Sequence, residues 1–318
     1  MRMESQEGVH LFLDRSLFCL HQKRTFPDKE RGMSYNIAEI LRYAAFTKDG
    51  TGGNPAGVVL DASGLSSEEM QTIAAQVGYS ETAFITERRE AGRITVRYFS
   101  PLAEVPFCGH ATIALSAAFA EREGAAGLIL TTNSGQVVVD IQRDKTGTIL
   151  ATLTSVPTHT REASREEVGL ALKALRWTAE HLDRRYPIHV AYGGAEHLIV
   201  AVKDRRTLAA LDYDYPALAT LMAQKVWTTI HIIWAETPIL FHARDPFPPG
   251  GVREDPATGA AAAAFGGYLR ALGLVNPPTT VTIHQGDDNG TPSLLILDLL
   301  PNVLTVRVTG TASPIRTS

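Results

Sequence analysis

Past its first thirty or so residues the chain alternates short apolar runs with polar turns, and two runs break that alternation by being apolar on every side. One is Ile113 to Ala120, entered from Pro106-Phe107-Cys108-Gly109-His110-Ala111-Thr112 and closed by Glu121 to Gly124. The other is Ala260 to Leu269, entered from Glu254-Asp255-Pro256-Ala257-Thr258-Gly259 and followed by Arg270 and Gly273. A helix without a polar face must be buried, and each of these requires a sheet wrapped around it. Asp255 is expected as the N-cap of the second helix and Pro256 as its first helical residue. Two such helices in separate halves predict an α+β fold of two similar lobes, meeting where the helix starts face each other. Unpaired N–H groups and the macrodipole make a helix start a place for negative charge, so facing starts would form an anion site. Periodicity alone favours the plainer reading of two ordinary core helices.

The remaining pattern fills in strands around them. They are expected at Ile40 to Phe46, Ala56 to Leu60, Ile94 to Phe99, Leu128 to Thr132, Gln136 to Gln142 and Ile149 to Leu153. Further on they are expected at Pro187 to Ala191, His197 to Val202, Ile230 to Glu236, Ile239 to Ala243, Thr280 to His284, Leu294 to Leu300 and Val303 to Val308. Ser66 and Glu69 form a capping box before Met70, Ile73, Ala74 and Val77, which predicts an amphipathic outer helix stopped by Gly78. Helices are also predicted over Glu166 to Ala174 and Pro216 to Met222, and Pro246 to Gly251 reads as a rigid loop aimed at Asp255. Glu81 falls where the first outer helix gives way to a strand, and a solvated strand-end glutamate is the plain account of it. Gly50 to Pro55 is a turn between strands, since no G-x-G-x-x-G or G-K-[ST] spacing accompanies it.

The composition shift at Ser155 to Glu167 marks the crossing between lobes. The expected division is a mobile extension, 1–33, a first lobe of 34–154 plus 303–318, and a second lobe of 155–302. The last strand would return to complete the first lobe. Residues 1–33 lack the small-residue cleavage site of a signal peptide.

Composition narrows the function. The 318 residues are 44% hydrophobic and 20% charged with a net charge of −4, and no basic helix or polybasic run occurs. Nucleic acid and membrane surfaces are therefore poor partners for this chain. Cys19 and Cys108 cannot make a disulfide framework, and Cys108 beside a buried helix start points to a reducing, cytoplasmic compartment. The ten histidines include no H-E-x-x-H pair, so no metal is expected.

Five motifs in order carry a resemblance: Gly53-Asn54-Pro55-Ala56-Gly57, Ser80-Glu81-Thr82-Ala83-Phe84, Phe107-Cys108-Gly109-His110-Ala111-Thr112, Glu254-Asp255-Pro256-Ala257-Thr258-Gly259, and Gln285-Gly286 before Pro292-Ser293. Over Tyr35 to Ile315 the chain resembles the phenazine-biosynthesis isomerase (PhzF-like) family of the diaminopimelate epimerase-like superfamily. The resemblance implies the two-lobed fold, each lobe a curved sheet around one buried helix. It implies Glu81 as general acid and base, His110 and Asp255 as holders of substrate polar groups, and Gly109 and Gly259 as room for a carboxylate. Asn54 of the first motif joins them as a substrate-binding residue, and a homodimer is implied with them. The sequence departs from the family at Ala260, where Ser is frequent, and at Thr291, where Arg is frequent.

The expected reaction is cofactor-independent movement of a proton between carbons of a small unsaturated or amino carboxylic acid. A carboxyl whose pKa is raised by burial can take the proton and return it, and two helix starts can hold the delocalised negative charge of the intermediate. The alternatives are a two-base epimerase or racemase using Cys108, and a non-catalytic homologue that binds a metabolite.

Overall fold

The structure, a computed structural model, describes residues 39–316 apart from 90, 91 and 125. The extension 1–33 and Cys19 lie outside the described residues. In chain order the first elements are β1 (Leu41–Ala45), β2 (Asn54–Val59), α1 (Ser67–Val77), β3 (Glu81–Arg88), β4 (Arg93–Phe99) and β5 (Glu104–Val105). Then come α2 (Gly109–Glu123), β6 (Gly127–Thr132), β7 (Gly135–Arg143), β8 (Ile149–Thr154), β9 (His159–Glu162) and α3 (Arg165–Ala174). The chain continues with β10 (His189–Tyr192), β11 (Glu196–Ala201), α4 (Arg205–Ala209), α5 (Tyr215–Lys225), β12 (Thr229–Thr237) and β13 (Leu240–Pro246). It ends with β14 (Glu254–Asp255), α6 (Gly259–Ala271), β15 (Thr279–Gln285), β16 (Ser293–Leu299) and β17 (Arg307–Pro314).

The fold has two lobes built on one pairing scheme. In the first, β1, β2, β3, β4, β6, β7, β8 and β17 pair in that order, and β17 pairs back to β1, closing a ring. In the second, β9, β10, β11, β12, β13, β15 and β16 pair in order and join β17. That sheet is brought nearly round by hydrogen bonds from Ser155 N to Val306 O and Thr158 N to Leu304 O, both 2.9 Å. α2 fills the first ring and α6 the second sheet, with every residue from His110 to Ala120 and from Ala261 to Leu269 buried. A ring of short strands leaves little radius at its centre, and the alanines and glycines of both helices meet that limit. A Cβ at Gly267 would lie 2.4 Å from Thr158 Cβ, so glycine at this point is a condition of the sheet's closure.

The outer faces are covered by the amphipathic helices. Met70 and Ala74 of α1 pack with Val59, Phe84 and Phe99, while α3, α4 and α5 cover the second sheet around Trp227 and Leu198. Both capping boxes that start these helices form, Ser66 with Glu69 and Ser164 with Glu167. Gly78 ends α1 at φ 72°, the left-handed conformation that glycine adopts without a Cβ penalty.

Three expectations are corrected. Asp255 does not cap α6 and Pro256 is not its first residue, because Thr258 is the N-cap and Asp255 is paired in β14 opposite Asp245. The Asp255 carboxylate accepts from the side chains of Asn54 and of Thr258, the N-cap itself, and not from the first backbone N–H groups of the helix. The last strand runs later than Val303 to Val308, because Asn302 turns at φ 61° and Val303 and Leu304 are exposed. Thr309 to Pro314, weak in strand propensity, pairs instead between β8 and β1, and that two-sided pairing outweighs propensity. The polar strand β9 and the short helix α4 carry no apolar period and were not expected.

Candidate active site

The starts of α2 and α6 meet. A Cβ placed on Gly109 would stand 3.9 Å from the Cα of Gly259 and 3.9 Å from Leu153 Cδ1. Those are ordinary contact distances, and neither glycine has a positive φ, so the protein around them does not demand glycine. The N-caps, Cys108 and Thr258, are both extended and neither makes a side-chain cap hydrogen bond. Two helix ends with their positive partial charge thus converge without a side chain spent on capping them.

Glu81 opens β3 beside α2, with its side chain 15% exposed. Its Oε2 lies 3.5 Å from Cys108 Sγ, which donates to it, and 3.4 Å from His110 Nε2. Cys108 Sγ is 3.2 Å from His110 Nδ1, and Ser80 Oγ is 3.3 Å from His110 Nε2. Burial pushes the Glu81 carboxyl above its ordinary range, against hydrogen bonds from Ser80 and Cys108 that lower it. Burial likewise lowers the His110 imidazole toward neutrality, opposed by the Asp255 charge. The Cys108 thiol is pushed well up by burial and then by the Glu81 charge, so it rests as a thiol.

Asp255 stands on the other side. Its Oδ1 accepts from Asn54 Nδ2 at 2.7 Å and its Oδ2 from Thr258 Oγ1 at 2.7 Å, while Asn54 also donates to the Ala257 carbonyl. Burial pushes this carboxyl up to about 6, with the His110 charge and the Thr258 hydrogen bond working against it. Gln285, fully buried, fixes the turn by donating to the Asp255 carbonyl at 2.9 Å and accepting from Thr258 N at 3.2 Å. Behind it, His231 Nδ1 pairs with Asp245 Oδ1 at 2.7 Å inside the core.

All six residues singled out from sequence are therefore placed around the two helix starts. Glu81 and His110 are in direct contact, Asn54 and Asp255 are hydrogen-bonded, and Gly109 adjoins Gly259. Reasoning from sequence passed over Ser80, Thr258 and Gln285, although all three lie inside the motifs already quoted. The His231–Asp245 pair had no signal, since nothing in spacing links a strand histidine to an aspartate fourteen positions on.

The model of the family described as phenazine biosynthesis-like protein matches residues 43–318. The chain belongs to this family. It is 32% identical over 253 residues to trans-2,3-dihydro-3-hydroxyanthranilate isomerase of Pseudomonas chlororaphis, covering 79% of this chain and 86% of that protein. It is 34% identical over 276 residues to an uncharacterized isomerase of Deinococcus radiodurans, covering 83% and 88%. The crystal structure of the Bacillus anthracis phenazine biosynthesis protein, PhzF family, superposes with a TM-score of 0.79 at 27% identity, covering 87% of this chain and 96% of that one. The two-lobed fold is thus a family property, and the chain is an isomerase.

The structure locates Ala260 and Thr291, the two positions at which the resemblance led to another residue being expected. Ala260 is in the first turn of α6 and offers no hydroxyl there. Thr291 turns its hydroxyl to Asn289 Oδ1 at 2.6 Å, in the loop whose Pro292 carbonyl accepts from Gly53 N next to Asn54. No helix among the described residues is long and apolar enough to cross a membrane.

Proposed function

We propose that this isomerase moves a proton between carbons of a small unsaturated or amino carboxylic acid without a cofactor, with Glu81 as the one general acid and base. The observation that carries the reading is the Glu81 carboxyl raised by burial at the edge of two converging helix starts. A carboxyl that is easily protonated can both take and return a proton near neutral pH. His110, held neutral by burial, and the Asn54–Asp255 pair hold the polar groups of the substrate. Gly109 and Gly259 leave backbone N–H groups accessible to its carboxylate and to the delocalised charge of the intermediate. The relative named for dihydro-hydroxyanthranilate, by that name an unsaturated amino acid, falls in this substrate class. The division into lobes at 34–154 plus 303–318 and 155–302, a homodimer and a cytoplasmic location belong to the same proposal.

A second reading, a two-base epimerase, draws on Cys108, whose thiol touches the Glu81 carboxyl. The two are separated by Cys108→Ala and by the face of deuterium delivery in heavy water. One base delivers to the face from which it took the proton, and Cys108→Ala then keeps the rate within about tenfold. Delivery to the opposite face, with a loss of about 10² or more in Cys108→Ala, would transfer the assignment to the epimerase.

A further inference from the structure

Sulfur, nitrogen and oxygen donors meet at one point of the first lobe. Cys108 Sγ is 3.5 Å from Glu81 Oε2 and 3.9 Å from His110 Nε2, and His110 Nε2 is 3.4 Å from Glu81 Oε2. Tetrahedral zinc, with sulfur at about 2.3 Å and nitrogen and oxygen at about 2.0 to 2.1 Å, sets sulfur about 3.6 Å from either partner and nitrogen about 3.4 Å from oxygen. The triangle present here departs from that one by only a few tenths of an ångström. Among the described residues it is the one group of three His, Cys, Asp or Glu side chains whose ligand atoms all lie within 4.8 Å of one another.

We propose that Glu81, Cys108 and His110 form a binding site for a thiophilic divalent cation, Zn²⁺, which blocks the isomerase when it binds. The three side chains are carried by the first residue of β3 and by the two residues flanking Gly109 at the start of α2, so regular elements rather than a loop hold the triangle. Thiolate, imidazole and carboxylate together suit zinc, whereas magnesium and calcium take oxygen ligands. On binding, the Cys108 S–H bond breaks, its proton and any proton carried by Glu81 leave to solvent, and sulfur–zinc and oxygen–zinc bonds form, with no change of oxidation state. Two anionic ligands and one neutral one cancel the charge of the ion, so the buried site ends neutral. Water or a substrate oxygen completes the fourth position. Binding stands on the triangle alone; only its inhibitory effect rests on the role proposed for Glu81.

Co²⁺ is the probe. Added to the untagged full chain, it should bind one equivalent with a near-ultraviolet thiolate-to-cobalt charge-transfer band, lost on adding one equivalent of Zn²⁺ and unaffected by excess Mg²⁺. Cys108→Ala should abolish the band, and Cys19→Ala should leave it unchanged. Glu81→Gln and His110→Ala should weaken Co²⁺ binding at least by the roughly 10- to 100-fold that loss of an outer-shell partner costs, at unchanged circular dichroism. Glu81→Gln keeps the side-chain shape and so decides the matter even if Cys108→Ala fails to fold. The proposal is overturned by a wild-type chain without the band, by a band that follows Cys19, by Mg²⁺ competing on equal terms, or by full affinity in Glu81→Gln.

Discussion

The two lobes repeat one another almost element for element, and laying them side by side separates what holds the fold from what does chemistry. Parallel β2 and β3 bracket α1 as parallel β11 and β12 bracket α4 and α5, and β4 and β6 bracket α2 as β13 and β15 bracket α6. The short strands β5 and β14 turn back on β4 and β13 just before each central helix. In this register Arg97 with Glu104 answers Arg244 with Glu254, and both ion pairs form, at 2.6 and 2.5 Å. Gly109 answers Gly259. The chemistry-bearing positions do not match: Glu81 answers Thr229, Val105 answers Asp255, Cys108 answers Thr258 and His110 answers Ala260. The turn-supporting ion pairs recur because both sheets must turn into a buried helix, whereas packing and backbone conformation require glycine at neither helix start. Glu81, Cys108 and His110 are concentrated in the first lobe, and Asp255 faces them from the second, held by Thr258 of its own lobe and by Asn54 of the first. That asymmetry supports one base rather than two.

The sharpest way to break the comparison is at its most unequal position. Glu81→Gln should cost about 10² to 10⁴ in turnover with folding and ligand binding intact, while Thr229→Ser in the second lobe should change the rate by less than about twofold. Steady-state rates on a substrate found by solvent deuterium uptake check this, and a near wild-type Glu81→Gln would remove the carboxyl from the mechanism. The matched ion pairs test the structural half. Arg244 and Glu254 have side chains about 10% exposed, and Arg244 also donates to the Leu208 and Ala209 carbonyls. Arg97 and Glu104 are 26% and 28% exposed. Glu254→Gln leaves a buried guanidinium without its counter-charge and should cost about 3 to 5 kcal/mol in denaturant unfolding. Glu104→Gln should cost about 1 kcal/mol or less, since water can solvate what remains. Equal losses would mean that the two turns are equally open to solvent.

A further contrast concerns Asp255, whose counterpart Val105 does not titrate. Burial raises its carboxyl from 3.8 to about 6, which favours the protonated form in the folded chain. The resulting stabilisation is complete below about pH 4 and is lost as pH rises through 6, amounting to at most on the order of 3 kcal/mol. Asp255→Asn, which stays neutral, should flatten that part of the stability profile, measured as melting temperature between pH 4 and pH 7. A wild-type profile already flat in this window would show the carboxylate to be satisfied by Asn54 and Thr258 in its charged form.

What was legible in the sequence was whatever is local or strictly periodic. The two all-apolar runs announced central helices, Ser66 with Glu69 announced an outer one, and Gly78 its end, because burial of a helix face and satisfaction of its first N–H groups depend on residues three or four apart. Motif order then brought Glu81, His110, Asp255, Asn54, Gly109 and Gly259 into consideration together. Tertiary structure decided the rest. Asp255 reads as a helix cap in isolation, yet Asn54, 201 positions away, and Thr258 claim its carboxylate and hold it in β14. Thr309 to Pro314 lies beyond the last strand expected from sequence, yet edges from β8 and β1 meet there and make it a strand. The approach of Cys108, His110 and Glu81 within hydrogen-bonding distance depends on a strand end and a helix start meeting across 27 residues of chain. Local sequence sets which backbone groups need partners; only the closed sheet decides which side chains arrive to supply them, and hence which carboxyls are buried enough to hold a proton.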